Sequence, residues 1–305
     1  MSTDLFDEIK SLKKEKNALL LAHNYQEPLI QQMADIIGDS LDLARKAKNI
    51  SCDIIVFAGA EFMAETAAIL NPDKKILIPS SAVKCPMAYM LSRDKMIQFK
   101  KRYPKASIAV YVNTTAETKS LADVCITSGN ATKIISQLDT DHVLVGPDRN
   151  LAWYVQQEVP DKKIIPFPDI GHCYVHKKFL LADIKNLKVK YPDAEVLAHP
   201  ETDPSIQSIA DKVCSTNGMI KVAHNSKTEK FIIATEIGLI DRLRSEIPSK
   251  TFIPARQDAI CVQQKKITSY NLYLSLLKEQ FEIKVPLSIA KPARLAIERM
   301  LNLSI

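Results

Sequence analysis

Long apolar runs are missing from this 305-residue sequence. None approaches the roughly 20 residues that a membrane helix needs, so no membrane span is expected. An export signal is missing too: the opening stretch MSTDLFDEIKSLKKEKN mixes acids and lysines without an apolar centre and reads as a solvated amphipathic helix. Blocks of like charge are also lacking. The net charge of +6 is spread along a chain whose lysines alternate with acids, which weakens the case for nucleic acid and fits a small anionic ligand better. No low-complexity linker interrupts the chain. What remains, at 46% hydrophobic and 25% charged residues, is the composition of a globular protein long enough for two or three compact units. The expected location is the cytoplasm, and its six cysteines are expected there as free thiols, where a spaced set points to metal binding or catalysis.

Three of those cysteines are spaced evenly. Cys85, Cys173 and Cys261 stand 88 residues apart, and other residues keep the same register without a gap. Met33-Ala34-Asp35 falls on Leu121-Ala122-Asp123 and Ile209-Ala210-Asp211, Lys74-Lys75-Ile76 on Lys162-Lys163-Ile164, and Tyr103-Pro104 on Tyr191-Pro192. Apolar runs coincide as well: 20–22 lies over 108–110 and 196–198, and 54–57 over 142–145 and 230–233. A fixed period means one structural unit used repeatedly. Within each unit, apolar stretches of strand length alternate with helical patterns, as in parallel strands joined by crossover helices. The expected architecture is α/β: three pseudo-symmetric αβα three-layer units, each with a small parallel sheet, around a central site. Their spans are 1–87, 88–175 and 176–261, and a helical tail, 262–305, packs back on the first.

Parallel sheets present ligand-binding groups at the carboxyl ends of their strands. The register puts His23, Tyr111 and His199 at one such end, and Tyr25, Asn113 and Glu201 two residues on, on the same face. A further trio, Ser40, Ser128 and Thr216, each opens a helix; these hydroxyls read as N-caps, or as part of three converging helix N-termini that hold an anion. Cys52, Cys125 and Cys214 have no cysteine 88 residues away and read as small core residues. Three converging thiolates, by spacing alone, suit either zinc with an open position or a four-iron cluster held by three corners.

These residues sit in segments that resemble the quinolinate synthase (NadA) family over almost the whole chain. The segments are LAHNYQ from Leu21, GDSL from Gly38, FAGAEFMAET from Phe57, Cys85-Pro86-Met87-Ala88, Tyr111-Val112-Asn113, Thr127-Ser128, GPDRNLA from Gly146, GHCYVH from Gly171, His199-Pro200-Glu201 and Ser215-Thr216. The resemblance implies three pseudo-symmetric domains around a funnel-shaped active site and one 4Fe-4S cluster per chain on Cys85, Cys173 and Cys261. It implies condensation of iminoaspartate with dihydroxyacetone phosphate to quinolinate, phosphate and water, in NAD biosynthesis. Carried over by position, His23, Ser40, Ser128, Ser215 and Thr216 bind anionic groups and Asn113 orients substrate. Tyr25, Tyr111, His199 and Glu201 move protons, with Glu201 as base. The partners implied are these small substrates, not nucleic acid or membrane, with room for transient contact with the enzyme that supplies iminoaspartate. After Cys261 the chain departs from the family pattern and reads Val262-Gln263-Gln264-Lys265. Two rivals are a radical enzyme of the diphthamide-synthesis type, which needs S-adenosylmethionine, and a non-catalytic sensor that binds a small anion.

Overall fold

A computed structural model describes residues 3–48 and 51–304. Its frame is three four-stranded sheets in which every strand pairing is parallel. The first holds β1 (Ala18–His23), β2 (Ile36–Gly38), β3 (Ile54–Ala58) and β4 (Lys75–Leu77). The second holds β5 (Ser107–Tyr111), β6 (Val124–Ile126), β7 (His142–Gly146) and β8 (Lys163–Pro166). β9 (Glu195–Ala198), β10 (Lys212–Val213), β11 (Lys230–Ala234) and β12 (Thr251–Pro254) make the third. Each sheet has the same order, second strand, first, third, fourth. The pairing register also repeats: Leu19 faces Ile55, Ser107 faces Val143 and Glu195 faces Phe231.

The sequence shows why each sheet forms. Its central strands are runs of Leu, Ile, Val and Ala covered on both faces, and Leu20, Ile55, Val110, Leu144, Leu197 and Ile232 are fully buried. The repeated aspartate has a structural task. Asp35, Asp123 and Asp211 each accept the backbone N–H of a first-strand residue (Leu20, Ile108, Val196) at 2.7–2.8 Å, and each returns its own N–H to that residue's carbonyl. One side chain thereby staples the short second strand to the first in all three copies.

The C-terminal stretch closes two seams. Ile283 and Ile78 exchange backbone bonds with Ile76 and Phe281, which covers the edge at β4. Helix Ser269–Lys278 packs on helix Thr3–Glu15, and helix Leu287–Leu303 lies across helix Glu61–Leu70, helix Ala116–Lys119 and β6. The last helix therefore bridges the first and second sheets. Among the described residues, no helix is long and apolar enough to cross a membrane.

Candidate functional site

The carboxyl ends of the three sheets face one central cavity. Its lining includes His23, Tyr25, Ser40, Cys85, Tyr111, Asn113, Ser128, Cys173, His199, Glu201, Thr216 and Cys261. Every residue singled out in the sequence is there except Ser215, whose hydroxyl is turned to Asp39 Oδ2 (3.1 Å) and to the N–H of Gly218. A wider surface groove runs beside helix Thr3–Glu15, and Lys13 there is already bonded to Asp35 and to the Met33 carbonyl.

The hydroxyl trio does not cap helices in the way expected. Capping falls one residue earlier in the first and third repeats, where Asp39 accepts the N–H of Asp42 and Ser215 accepts that of Gly218; their counterpart Thr127 accepts the N–H of Gly129 in a turn ahead of the helix. In the second repeat the helix starts only at Ala131, because Asn130 Oδ1 takes the Thr127 N–H and holds a turn through Ser128. Relieved of capping, Ser40, Ser128 and Thr216 stay at the cavity. Thr216 is further oriented, since Asn24 Nδ2 donates to its Oγ1 at 2.7 Å while Arg242 occupies Asn24 Oδ1. With its oxygen accepting from Asn24, the Thr216 hydroxyl can donate its own proton to a ligand.

His23 and His199, two repeats apart, have the same local structure. Each accepts on Nδ1 the backbone N–H two residues on, from Tyr25 (3.2 Å) and Glu201 (3.3 Å). That bond leaves Nε2 as the protonated nitrogen of a neutral ring. Burial pushes both pKa values down to about 3 against a weaker upward pull from Glu201. The sign of the consequence follows: between about pH 6.5 and 3 the unfolded chain takes up protons at these rings that the folded protein does not. Folded stability should thus fall as pH drops below 6.5, by up to about 1.4 kcal/mol per pH unit for each ring. Denaturant unfolding at pH 7.5, 6.5 and 5.5 checks this, and His199→Asn should flatten the profile by one ring's share.

Glu201, 4% exposed, has a partner at each carboxylate oxygen. Tyr111 donates its phenol to Oε1 at 2.6 Å, and His176 Nδ1 lies 2.8 Å from Oε2. Burial favours the neutral acid, but the His176 and His199 rings with the Tyr111 and His176 bonds outweigh it and hold the carboxyl below the usual range. The chain of contacts continues. His176 Nε2 meets Thr235 Oγ1 at 2.9 Å, and the same oxygen meets the Tyr25 hydroxyl at 2.9 Å. Burial first, then the Glu201 charge, raises both the Tyr25 and Tyr111 phenols well above their ordinary pKa, so both stay protonated.

The three repeat-related thiols share the cavity. Burial raises the pKa of each, Cys85 to about 12, and the charges add to it: Cys261 acts on Cys85, and both act on Cys173. Local packing fixes two of their loops. A side chain at Gly171 would meet the Pro147 carbonyl at 1.7 Å, so glycine lets the Cys173 loop lie directly on its neighbour. Glu236 Oε1 accepts the N–H of Cys261 at 3.0 Å. Among the described residues, ligand atoms of Cys173, His176 and Glu201 lie within 4.8 Å of one another, whereas the three sulfurs form no group that tight. A single tetrahedral zinc, with Zn–S near 2.3 Å, needs sulfurs only about 3.8 Å apart.

Three participants escaped the reading of the sequence: Asp39 in the cavity wall, and His176 and Thr235 beside Glu201. Asp39 was within reach, because it shares its register with Thr127 and Ser215. His176 and Thr235 align with Ala88 and Gln264, and with Gly59 and Pro147, so a search for repeated chemistry passes over them.

Comparison with known proteins adds a last observation. The profile of the family described as Quinolinate synthetase A protein matches residues 7–302. The quinolinate synthase of Pyrococcus abyssi is 51% identical over 301 residues, covering 99% of this chain and 100% of that one. The quinolinate synthase of Methanothermobacter thermautotrophicus is 52% identical over 305 residues, all of both chains. That of Methanocaldococcus jannaschii is 50% identical over 308 residues, 99% of this chain and 100% of its own.

Proposed function

The chain belongs to the quinolinate synthase family, enzymes of NAD biosynthesis, and we propose that iminoaspartate and dihydroxyacetone phosphate condense in its central cavity to give quinolinate, phosphate and two waters. The observation that carries this reading is the convergence on one cavity of three equivalent cysteines and three strand-end pairs. We read each sheet with its helices as one copy of a module, spanning about 1–87, 88–175 and 176–261, so that every copy contributes one thiol, one hydroxyl and one polar pair.

Cys85, Cys173 and Cys261 are the residues that would hold a four-iron cluster. Three half-buried thiols whose pKa values burial raises, with Cys261 adding to Cys85 and both adding to Cys173, are costly as bare thiolates, and a cationic centre offsets that cost. When bound, such a cluster on three cysteines supplies an iron with a free position that acts as a Lewis acid.

The chain's own groups divide the remaining work. His23 and His199, neutral and donating from Nε2, take substrate carboxylate oxygens, with the hydroxyls of Ser40, Ser128 and Thr216 completing the anion shell. Asn113, whose buried Oδ1 lacks a protein partner, accepts a hydrogen bond from substrate and orients it. Glu201, ionised at neutral pH, is the base for enolisation and imine formation. From Oε2 a line of contacts runs through His176 and Thr235 to Tyr25 and holds the carboxylate in place. Tyr25, kept protonated by burial and by Glu201, donates to a departing hydroxyl, while Tyr111, also kept protonated, gives its proton to Glu201 and can pass it on only once that carboxylate has taken another.

Anaerobically prepared protein given both substrates should release one phosphate for each quinolinate formed. Binding of either substrate with no phosphate release would point to a sensor instead, and binding of S-adenosylmethionine would point to the radical enzyme.

A further inference from the structure

The geometry points to a closed ring of three buried positioning side chains, Gln31, Lys119 and Gln207, that sets the three loops bearing the strand-end pairs; the inference rests on the reading of the site proposed above. The three positions are 88 residues apart, although the residue types differ. Gln31 Nε2 donates to the carbonyls of Gln26 (2.8 Å), Asn24 (3.3 Å) and Gly238 (3.3 Å). Gln207 Nε2 donates to those of Thr202 (2.8 Å), Pro200 (2.9 Å) and Asn150 (3.3 Å). Lys119 Nζ donates to the carbonyls of Thr114 and, at 3.4 Å, of Phe62.

The receiving groups keep the same register. Gln26, Thr114 and Thr202 are equivalent, and so are Phe62, Asn150 and Gly238. Each side chain therefore ties its own loop to a neighbouring repeat: the first reaches the third, the second reaches the first, and the third reaches the second. Head-to-tail contacts of this kind close into a ring when the rotation between copies allows it. All three side chains are buried, at 7%, 0% and 5% exposure.

What the position demands is a donor at the end of an unbranched chain. In Gln207 the Nε2 makes every bond while Oε1 is buried without a partner. Lysine supplies the same donor at 119, its charge answered by nearby Glu65 and by the Phe62 ring at 5.5 Å. In each loop the clamped carbonyl is one residue beyond a cavity group, namely Tyr25, Asn113 or Glu201. Removing the clamp frees that group to drift, and a displacement near 1 Å costs on the order of a hundredfold in rate.

The test uses the full cluster-loaded chain with Lys119→Met, Lys119→Gln and Gln207→Met, reading kcat, KM, iron content and melting temperature. Lys119→Met should raise KM about tenfold with little change in kcat, because its loop presents Asn113 to substrate. Gln207→Met should instead lower kcat about a hundredfold, because its loop presents Glu201. Lys119→Gln, which keeps the donor, should recover to within about threefold of the parent. Parental kinetics in both Met variants would overturn the proposal, as would a uniform loss that only follows melting temperature, or a Lys119→Gln no better than Lys119→Met. Should the Met variants fail to fold, Lys119→Gln decides alone: a folded, parent-like protein supports the ring and an unfolded one ends it. A parent that makes no quinolinate refutes the site reading instead; the ring is then judged by whether Lys119→Gln melts with the parent and Lys119→Met below it.

Discussion

Replacing Cys85, Cys173 or Cys261 by alanine, one at a time, is expected to strip the anaerobically prepared protein of its iron and sulfide and to abolish quinolinate formation. The same change at Cys52, Cys125 or Cys214 should leave both in place. The parent should carry about four iron per chain, and any single ligand loss leaves only two thiols for a centre that needs three. The contrast rests on placement. The first three thiols line one cavity, one from the end of each repeat; burial raises the pKa of each, and there Cys261 adds to Cys85 and both add to Cys173. Cys125 is fully buried within β6, bonded in register with Val110, and Cys214 sits behind helix Thr216–Asn225 near Gly218. Burial dominates the upward shift of both thiols to about 12, opposed by Lys119 at Cys125 and by Lys212 at half-buried Cys214. Their loss should cost about 1 kcal/mol of packing and no metal. Iron and sulfide counts on the six variants settle the matter, and a Cys125 variant without iron would refute the assignment.

Much of the frame was legible because the chain carries it three times. A pattern that could be noise in one copy becomes a constraint when strands, the Asp35 staple and the strand-end pairs recur in step with Asp123 and Asp211. Repetition also explains what stayed hidden. The Thr235–His176–Glu201 contacts belong to one corner of the cavity, so no periodic signal marks them. For the hydroxyl trio the sequence leaves capping and an anion-binding place open together, because serine and threonine serve equally as cap and as first helical residue. Only the bonds to Asp39, Thr127 and Ser215 separate the two. Ser128 shows the limit of register itself: its repeat delays the helix by three residues through Asn130, which has no counterpart in sequence at Asp42 or Gly218.

Glu201→Gln is expected to keep the cluster and the fold while lowering kcat by on the order of a thousandfold or more, within the range general base catalysis contributes. The amide keeps the size of the carboxylate and can still accept the Tyr111 hydroxyl on its oxygen, so the cavity wall should stand. It cannot take a proton. It also places an NH2 group where Oε2 now faces His176 Nδ1, 2.8 Å away, so that the first contact of the line toward Thr235 and Tyr25 changes from attraction of a carboxylate to contact with a donor. The charge matters as well, since Glu201 helps to hold the Tyr25 and Tyr111 phenols in their protonated state. Without it both lose part of their upward shift, and pH profiles of any residual activity should show the alkaline limb moving down. Iron content equal to the parent with kcat reduced as stated supports the assignment of the base. A glutamine variant that turns over at the parental rate would remove Glu201 from that role, and His199 could not take it over, because its Nδ1 already accepts the Glu201 N–H and burial pushes its pKa down to about 3.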